Sequence, residues 1–173
     1  MLRRDPFLVS CSIQVSSGFD GENTENEKKK MKDTKKKKVL FICTHNSARS
    51  QMAEGILRAL YPERYEAYSA GVEPTEVNPY TVKAMDEIGI DISPHTAKNI
   101  KVFIDEIFDY VVTVCDQAKE SCPFFPGKKV IHKGFPDPSQ LKGSEIEILE
   151  GFRETRDEIM TWIDGAFEDV DRE

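Results

Sequence analysis

The 173-residue chain contains 31 acidic and 24 basic residues and has a formal net charge of −7. Residues 1–38 hold ten basic and six acidic residues, so the rest of the chain carries a charge of about −11. An acidic body argues against a nucleic-acid partner, and no apolar run approaches the roughly 20 residues needed to cross a bilayer. We therefore expect a single-domain cytoplasmic protein that binds neither nucleic acid nor membranes.

The first 37 residues differ in composition from the remainder. They mix Ser, Gly, Asn and Glu, and a lysine-rich run follows from Lys28 to Lys38. Such a segment has too little apolar surface to offset the entropy lost on ordering. The composition predicts a disordered basic tail over residues 1–37 and one folded domain over residues 38–173.

The first predicted strand, Lys38–Ile42, leads into a loop suited to binding an oxyanion. The loop residues are Cys43, Thr44, His45, Asn46, Ser47, Ala48, Arg49 and Ser50. Successive backbone N–H groups in such a loop can face inward at a helix N-terminus, where the helix dipole adds positive charge. Arg49 offers two donors to a tetrahedral anion, and the positive field favours Cys43 as a nucleophilic thiolate.

The alternative for Cys43 is a small apolar core residue at the end of a buried strand. The context favours catalysis, because a helical pattern follows the loop at once. Met52, Ile56 and Leu57 recur at helical spacing, which gives the strand–loop–helix arrangement that an anion-binding loop requires.

Strand and helix patterns alternate along the rest of the chain. Further strands are predicted at Ala67–Ala70, Tyr110–Val114 and Lys129–His132, with helices from Pro79 to about 88, over about 98–107 and over about 144–167. Asn78 caps the helix that begins at Pro79, and Gly89 lies just beyond its end. In the 98–107 helix we expect Ile100, Phe103 and Ile107 to face inward.

This alternation predicts an α/β fold in which a four-stranded parallel sheet lies between layers of helices. Ligands in such folds bind at the carboxyl ends of the strands, where Cys43 lies. Cys115 follows the third strand and is expected at the same edge of the sheet. A helix between Cys115 and Cys122 would separate their α-carbons by about 10.5 Å, more than the roughly 7 Å that a disulfide tolerates. Joining these two cysteines therefore requires the segment to loop out.

A rigid Pro136-Asp137-Pro138 turn offers a candidate general acid. The flanking prolines restrict the backbone around Asp137 and would hold its carboxyl group over a pocket. The alternative is an ordinary turn residue. A metal site is an alternative for Cys43, Cys115, Cys122 and His132, but their spacing matches no common zinc arrangement.

Taken together, these motifs resemble the thioredoxin-coupled arsenate reductases, which share the low-molecular-weight protein tyrosine phosphatase fold. The similarity covers about residues 37–163. It is carried by the 39–55 segment around Cys43, by Tyr68-Ser69-Ala70-Gly71, Val77-Asn78-Pro79, Ile90-Asp91-Ile92-Ser93, Val112-Thr113-Val114-Cys115, Cys122-Pro123 and Asp137-Pro138. Ala48 departs from the pattern, because many relatives have a cysteine there.

The resemblance implies arsenate as the substrate and thioredoxin as the electron donor. Cys43 would be the nucleophile, Arg49 the oxyanion clamp and Asp137 the acid. Cys115 would then form a disulfide with Cys43, and Cys122 would resolve it by thiol exchange. The resemblance implies no tightly bound cofactor. It does imply a potassium ion held by the positions that match Asn46, Glu54, Ser69 and Asp91.

Two other functions fit parts of the pattern. A low-molecular-weight protein tyrosine phosphatase would use the same oxyanion loop, because phosphate and arsenate have nearly the same shape. A redox-sensing binding module would use the thiols without turnover. The additional cysteines favour the reductase, since a phosphatase has no chemical need for Cys115 and Cys122.

Overall fold

The computed structural model describes residues 35–116 and 125–167. Nearly all of the predicted basic tail and the whole of the Cys122 region lie outside these residues. Within them, four strands form one sheet: β1 (Lys37–Cys43), β2 (Tyr65–Gly71), β3 (Phe108–Thr113) and β4 (Gly127–His132). The strand order is β2-β1-β3-β4 and every pair is parallel, which confirms the predicted sheet.

Three α-helices accompany the sheet in the described part of the chain. They are α1 (Arg49–Leu60), α2 (Pro79–Asp86) and α3 (Glu145–Phe167). The boundaries of α2 follow its sequence signals. The Asn78 side chain accepts a hydrogen bond from the Tyr80 N–H, and Gly89 adopts a φ of 76° just beyond the helix.

The predicted helix over residues 98–107 is wrong. Only Ile100–Phe103 form a short 3₁₀-helix, because the residues before it are held in an extended conformation. The Lys98 carbonyl accepts the Gly71 N–H at 2.8 Å, and Asn99 forms a parallel bridge with Gly71. Phe103 is buried as predicted, whereas Ile107 is 71% exposed.

Aromatic residues show how both faces of the sheet are covered. On one face, the rings of Phe41, Tyr65 and Tyr110 contact Phe167 of α3 at centroid distances of 6.3, 5.2 and 5.8 Å. Tyr68 points to the opposite face, because side chains alternate along a strand, and its ring contacts Phe103. The sheet therefore lies between two layers, as the alternation of elements predicted.

The burial of Phe152 on α3 leads to a prediction about the stability of the fold. Phe152 is fully buried and packs 5.7 Å from the ring of Tyr80. Phe152→Ala is expected to lower the free energy of unfolding by about 3–5 kcal/mol, because it leaves a cavity that the neighbours fill only in part. Urea unfolding measures the change. Ile146→Ala is the matched control, since Ile146 lies on the same helix but is 76% exposed, and its effect should stay within about 0.5 kcal/mol. Equal losses in the two variants would contradict this packing.

Candidate active site

The loop from Cys43 to Ser50 connects the end of β1 to the start of α1. The carbonyl oxygens of Thr44, His45 and Ser47 accept hydrogen bonds from backbone N–H groups within residues 73–78, at 2.8, 3.1 and 3.0 Å. Each of these carbonyls therefore points away from the loop centre. In a planar trans peptide the following N–H points the opposite way, so the N–H groups after these three carbonyls face inward. Inward N–H groups at the beginning of a helix form an anion-binding concavity.

Close packing beneath the loop explains a glycine at the end of β2. A β-carbon on Gly71 would lie 2.8 Å from both the Thr44 carbonyl oxygen and the Asn46 nitrogen. Any side chain at this position would displace the loop backbone. Asn46 itself adopts a φ of 49°, in the left-handed region that asparagine tolerates better than most residues.

The Cys43 sulfur is buried and lies among hydrogen-bonding groups. The Asn46 N–H donates to Sγ at 3.1 Å, and the Ser50 Oγ lies 2.9 Å from it. The Asn46 Nδ2 in turn donates to the Ser50 Oγ at 2.8 Å, which leaves the serine hydroxyl proton available to the sulfur. This arrangement suits a thiolate, the nucleophilic form of cysteine.

Arg49 and Asp137 face each other across the loop. The Arg49 Nη2 donates to the Asp137 Oδ2 at 2.7 Å, and Nη1 donates to the Phe135 carbonyl oxygen at 3.1 Å. The other carboxylate oxygen of Asp137 accepts from the Ser139 hydroxyl and backbone N–H, at 2.7 and 3.1 Å. Sequence reasoning missed this role of Ser139, although an Asp followed two residues later by Ser is a recognisable turn signal.

The candidate catalytic groups line one small cavity. Its walls are formed by Cys43, His45, Ser47, Ala48, Arg49, Asp137 and Ser139. The cavity holds about 10 Å³, room for about one water molecule. In this conformation the cavity is too small for a tetrahedral oxyanion, and Asp137 occupies an Arg49 donor that such an anion would use. A much larger groove bordered by Phe135 is lined by three acidic residues and one lysine, so its net negative charge disfavours an anion; these residues are Glu154, Asp157, Glu158 and Lys133.

Cys115 lies beside the oxyanion loop, two residues after the end of β3. Its sulfur is buried and lies 3.4 Å from the Thr44 Oγ1, so it is adjacent to the residue that follows Cys43. Both Cys43 and Cys115 are buried. Cys122, the third predicted redox cysteine, lies outside the described residues.

Three of the four residues assigned to potassium form one hydrogen-bonded group. The Asn46 Nδ2 donates to the Ser69 Oγ at 2.8 Å, and the Ser69 hydroxyl donates to the Glu54 Oε2 at 2.5 Å. Asp91 is exposed and accepts from the Ser93 N–H at 2.8 Å. Within residues 35–116 and 125–167 no hydrogen bond joins Asp91 to the other three.

The oxygens of this group do not fit a free cation, because protein donors already occupy them. The Asn46 Oδ1 accepts from the Gln51 Nε2 and from the Lys98 N–H, at 3.0 and 2.7 Å. Arg58 and Lys98 both lie against the Glu54 carboxylate. In the described part of the chain no three His, Cys, Asp or Glu residues cluster as a metal site.

Gln51 links the loop to His95. The Gln51 Nε2 donates to the Asn46 carbonyl oxygen at 3.0 Å, and its Oε1 lies 2.9 Å from the His95 Nδ1. Burial lowers the pKa of His95 below its ordinary value, and the nearby Glu54 only partly opposes this. His95 is therefore neutral at pH values where an exposed histidine would begin to charge.

This pKa shift predicts an acid-side loss of stability. Near pH 6.5 and somewhat below, the unfolded chain binds a proton at His95 that the folded chain does not, so the free energy of unfolding falls as the pH decreases. Urea unfolding at pH 8 and pH 5.5 should show a larger loss for the wild type than for His95→Gln. Equal losses would contradict the role assigned to His95.

The family assignment follows from this fold and loop. The family model described as "Low molecular weight phosphotyrosine protein phosphatase" matches residues 38–173, and the chain belongs to that family. An arsenate reductase of Halalkalibacterium halodurans is 46% identical to this chain over 125 residues, which cover 72% of this chain and 90% of the relative.

Solved structures of both activities share the fold. An arsenate reductase in an oxidized state is 30% identical with a TM-score of 0.64, and the match covers 75% of this chain and 95% of that one. A low molecular weight protein tyrosine phosphatase from T. tengcongensis is 29% identical with a TM-score of 0.65, covering 78% and 99%. No helix in the described part of this chain is long and apolar enough to span a membrane.

Proposed function

We propose that this protein is a cytoplasmic arsenate reductase that uses three cysteines and is recycled by thioredoxin. The single observation that best supports the proposal is the position of Cys115. A second buried thiol lies beside the oxyanion loop, with its sulfur 3.4 Å from the Thr44 hydroxyl oxygen. Relatives at about 45% identity are named arsenate reductase, which agrees with a reductive reaction.

In the first step, arsenate replaces Asp137 as the partner of Arg49. The guanidinium binds two arsenate oxygens while inward N–H groups of the loop bind the others. The Cys43 thiolate attacks arsenic, and one arsenate hydroxyl leaves as water after taking a proton from Asp137. The product is a covalent adduct between the Cys43 sulfur and pentavalent arsenic.

In the second step, the Cys115 thiolate attacks the Cys43 sulfur. The sulfur–arsenic bond breaks and its electron pair stays on arsenic, which becomes trivalent and leaves as arsenite. A Cys43–Cys115 disulfide remains. Cys122 then attacks Cys115, which releases the Cys43 thiolate and forms a Cys115–Cys122 disulfide. Thioredoxin supplies two electrons that reduce this disulfide.

Arsenate-dependent oxidation of NADPH, coupled through thioredoxin and thioredoxin reductase, tests the proposal. Sustained turnover with one arsenite formed per NADPH is the expected result. A protein tyrosine phosphatase would instead hydrolyse an aryl phosphate without consuming NADPH. A redox sensor would form disulfides but release no arsenite. Each alternative therefore gives a distinct readout.

The contacts of Asp137 predict a large loss of kcat when its carboxyl group is removed and a smaller loss when its Ser139 partner is removed. Asp137→Asn should lower kcat by about 100-fold or more, because the amide cannot protonate the leaving oxygen. Ser139→Ala should lower kcat by about 3- to 10-fold with little change in KM, because it removes one of the hydrogen bonds that orient the carboxylate. Ser93→Ala is the matched control, since Ser93 also lies two residues after an aspartate and donates to exposed Asp91 from both its backbone and its side chain. A Ser139→Ala enzyme as active as that control would refute the orienting role.

A further inference from the structure

A buried carboxylate lies directly beneath the oxyanion loop. Glu54 projects from α1 with a side chain only 3% exposed, and it accepts a hydrogen bond from Ser69, which in turn accepts from Asn46. Asn46 also donates its N–H to the Cys43 sulfur. The charge of Glu54 is therefore coupled to the nucleophile through two side chains. A carboxylate this deeply buried requires compensating positive charge.

Two cationic side chains provide that charge. The Arg58 Nη2 lies 2.7 Å from the Glu54 Oε1, and the Lys98 Nζ lies 3.5 Å from Oε2. Arg58 is one helical turn away on α1 and its side chain is 47% exposed, so it covers the carboxylate from the solvent side. The Lys98 side chain is 28% exposed. Its ammonium group lies near the Glu54 Oε2, the same oxygen that accepts the hydrogen bond from Ser69.

The backbone of Lys98 is hydrogen-bonded both to the oxyanion loop and to the end of β2. Its N–H donates to the Asn46 Oδ1 at 2.7 Å, and its carbonyl accepts the Gly71 N–H at 2.8 Å. The ammonium group also donates to the Thr96 carbonyl oxygen at 3.1 Å. Lys98 thus binds the side chain of the loop residue Asn46 and brings one positive charge to the carboxylate beneath it.

We infer that the Lys98 ammonium group is a tethered cation that stabilises the oxyanion loop in place of a free alkali-metal ion. The oxygens of Asn46, Ser69 and Glu54 that could ligate such an ion already accept protein donors or adjoin the ammonium group. The stability of this protein is therefore insensitive to potassium. The inference is independent of the proposed function, because the charge balance beneath the loop is the same for arsenate and phosphate.

The test is thermal unfolding of the full chain in potassium chloride and in tetramethylammonium chloride at equal ionic strength. Wild type should have the same Tm in both salts within about 1 °C. Lys98→Met should be less stable in tetramethylammonium chloride and should regain about 2–4 °C in a saturable manner as potassium is added. Lys98→Gln serves as a second neutral variant.

Two control variants complete the test. Lys98→Arg keeps the positive charge and should remain insensitive to potassium. Lys101→Met removes a nearby exposed lysine and should also behave like the wild type. A saturable, potassium-specific rise in the Tm of the wild type would overturn the inference. So would neutral variants that gain no response to potassium, because Lys98 would then not occupy a cation position.

Discussion

Cys43→Ser is expected to lower arsenate-dependent turnover by at least about a thousandfold. The serine hydroxyl stays protonated at neutral pH where a thiolate can form, and it also cannot take part in a disulfide. The loop contacts from Asn46 and Ser50 can persist around an oxygen atom, so the variant should still fold. Arsenite production measures the loss, and an unchanged Tm within a few degrees shows that the fold is retained.

Cys11→Ser is the matched control for this experiment. It removes a thiol that has no part in the proposed relay and should leave turnover within about twofold of the wild type. Aryl phosphate hydrolysis, if the wild type shows any, should be lost with Cys43 as well, because both reactions need the same nucleophile. Residual arsenate turnover above about 10% in Cys43→Ser would contradict the assignment of Cys43.

Cys115→Ser is expected to separate reduction from oxyanion binding. Arsenite release should fall by at least about 100-fold, because no thiol remains beside the adduct to break the sulfur–arsenic bond. Aryl phosphate hydrolysis should change by less than about threefold, since Cys43, Arg49 and Asp137 are untouched. The two activities are measured on the same protein preparation.

The outcome for Cys115 distinguishes a redox role from a structural one. The Cys115 sulfur contacts Thr44. If its role were purely structural, replacing it would disturb the loop and impair both activities together. Parallel losses would therefore contradict the relay. Full arsenate turnover without Cys115 would exclude it as the second thiol.

Local sequence signals predicted most of the fold. Asn78 caps α2 with its side chain, and Pro79 and Gly89 act through their own backbone preferences, so α2 appears where these residues indicate. The four strands were predicted within a few residues of their observed limits, because each is short, rich in β-branched or aromatic residues and bounded by loop residues. Alternating strands and helices leave few topologies open, and the parallel sheet is the commonest of these.

The error at residues 98–107 has a long-range cause. Ile100, Phe103 and Ile107 have helical spacing, yet Lys98 and Asn99 pair with Gly71, which is distant in sequence. Only one short turn fits between this pairing and β3. Periodicity within a segment carries no information about such a partner.

The candidate site was predictable where it depends on local geometry. Cys43 and Arg49 belong to one loop, and the sheet topology places Cys115 at the same edge. The contact between Asp137 and Arg49 spans 88 positions and was not predicted, because the sequence indicated Asp137 only as a general acid held over a pocket. Lys98 was missed altogether, because an isolated lysine in a polar stretch gives no sign that a buried carboxylate lies opposite.

The most direct test of the proposed relay compares the wild type with Cys122→Ser in the thioredoxin-coupled assay. The proposal predicts sustained arsenate-dependent NADPH oxidation by the wild type and about one equivalent of arsenite per protein from the variant, whose Cys43–Cys115 disulfide cannot be resolved. NADPH oxidation that does not depend on arsenate, accompanied by hydrolysis of an aryl phosphate, would contradict the account and assign the site to a phosphatase.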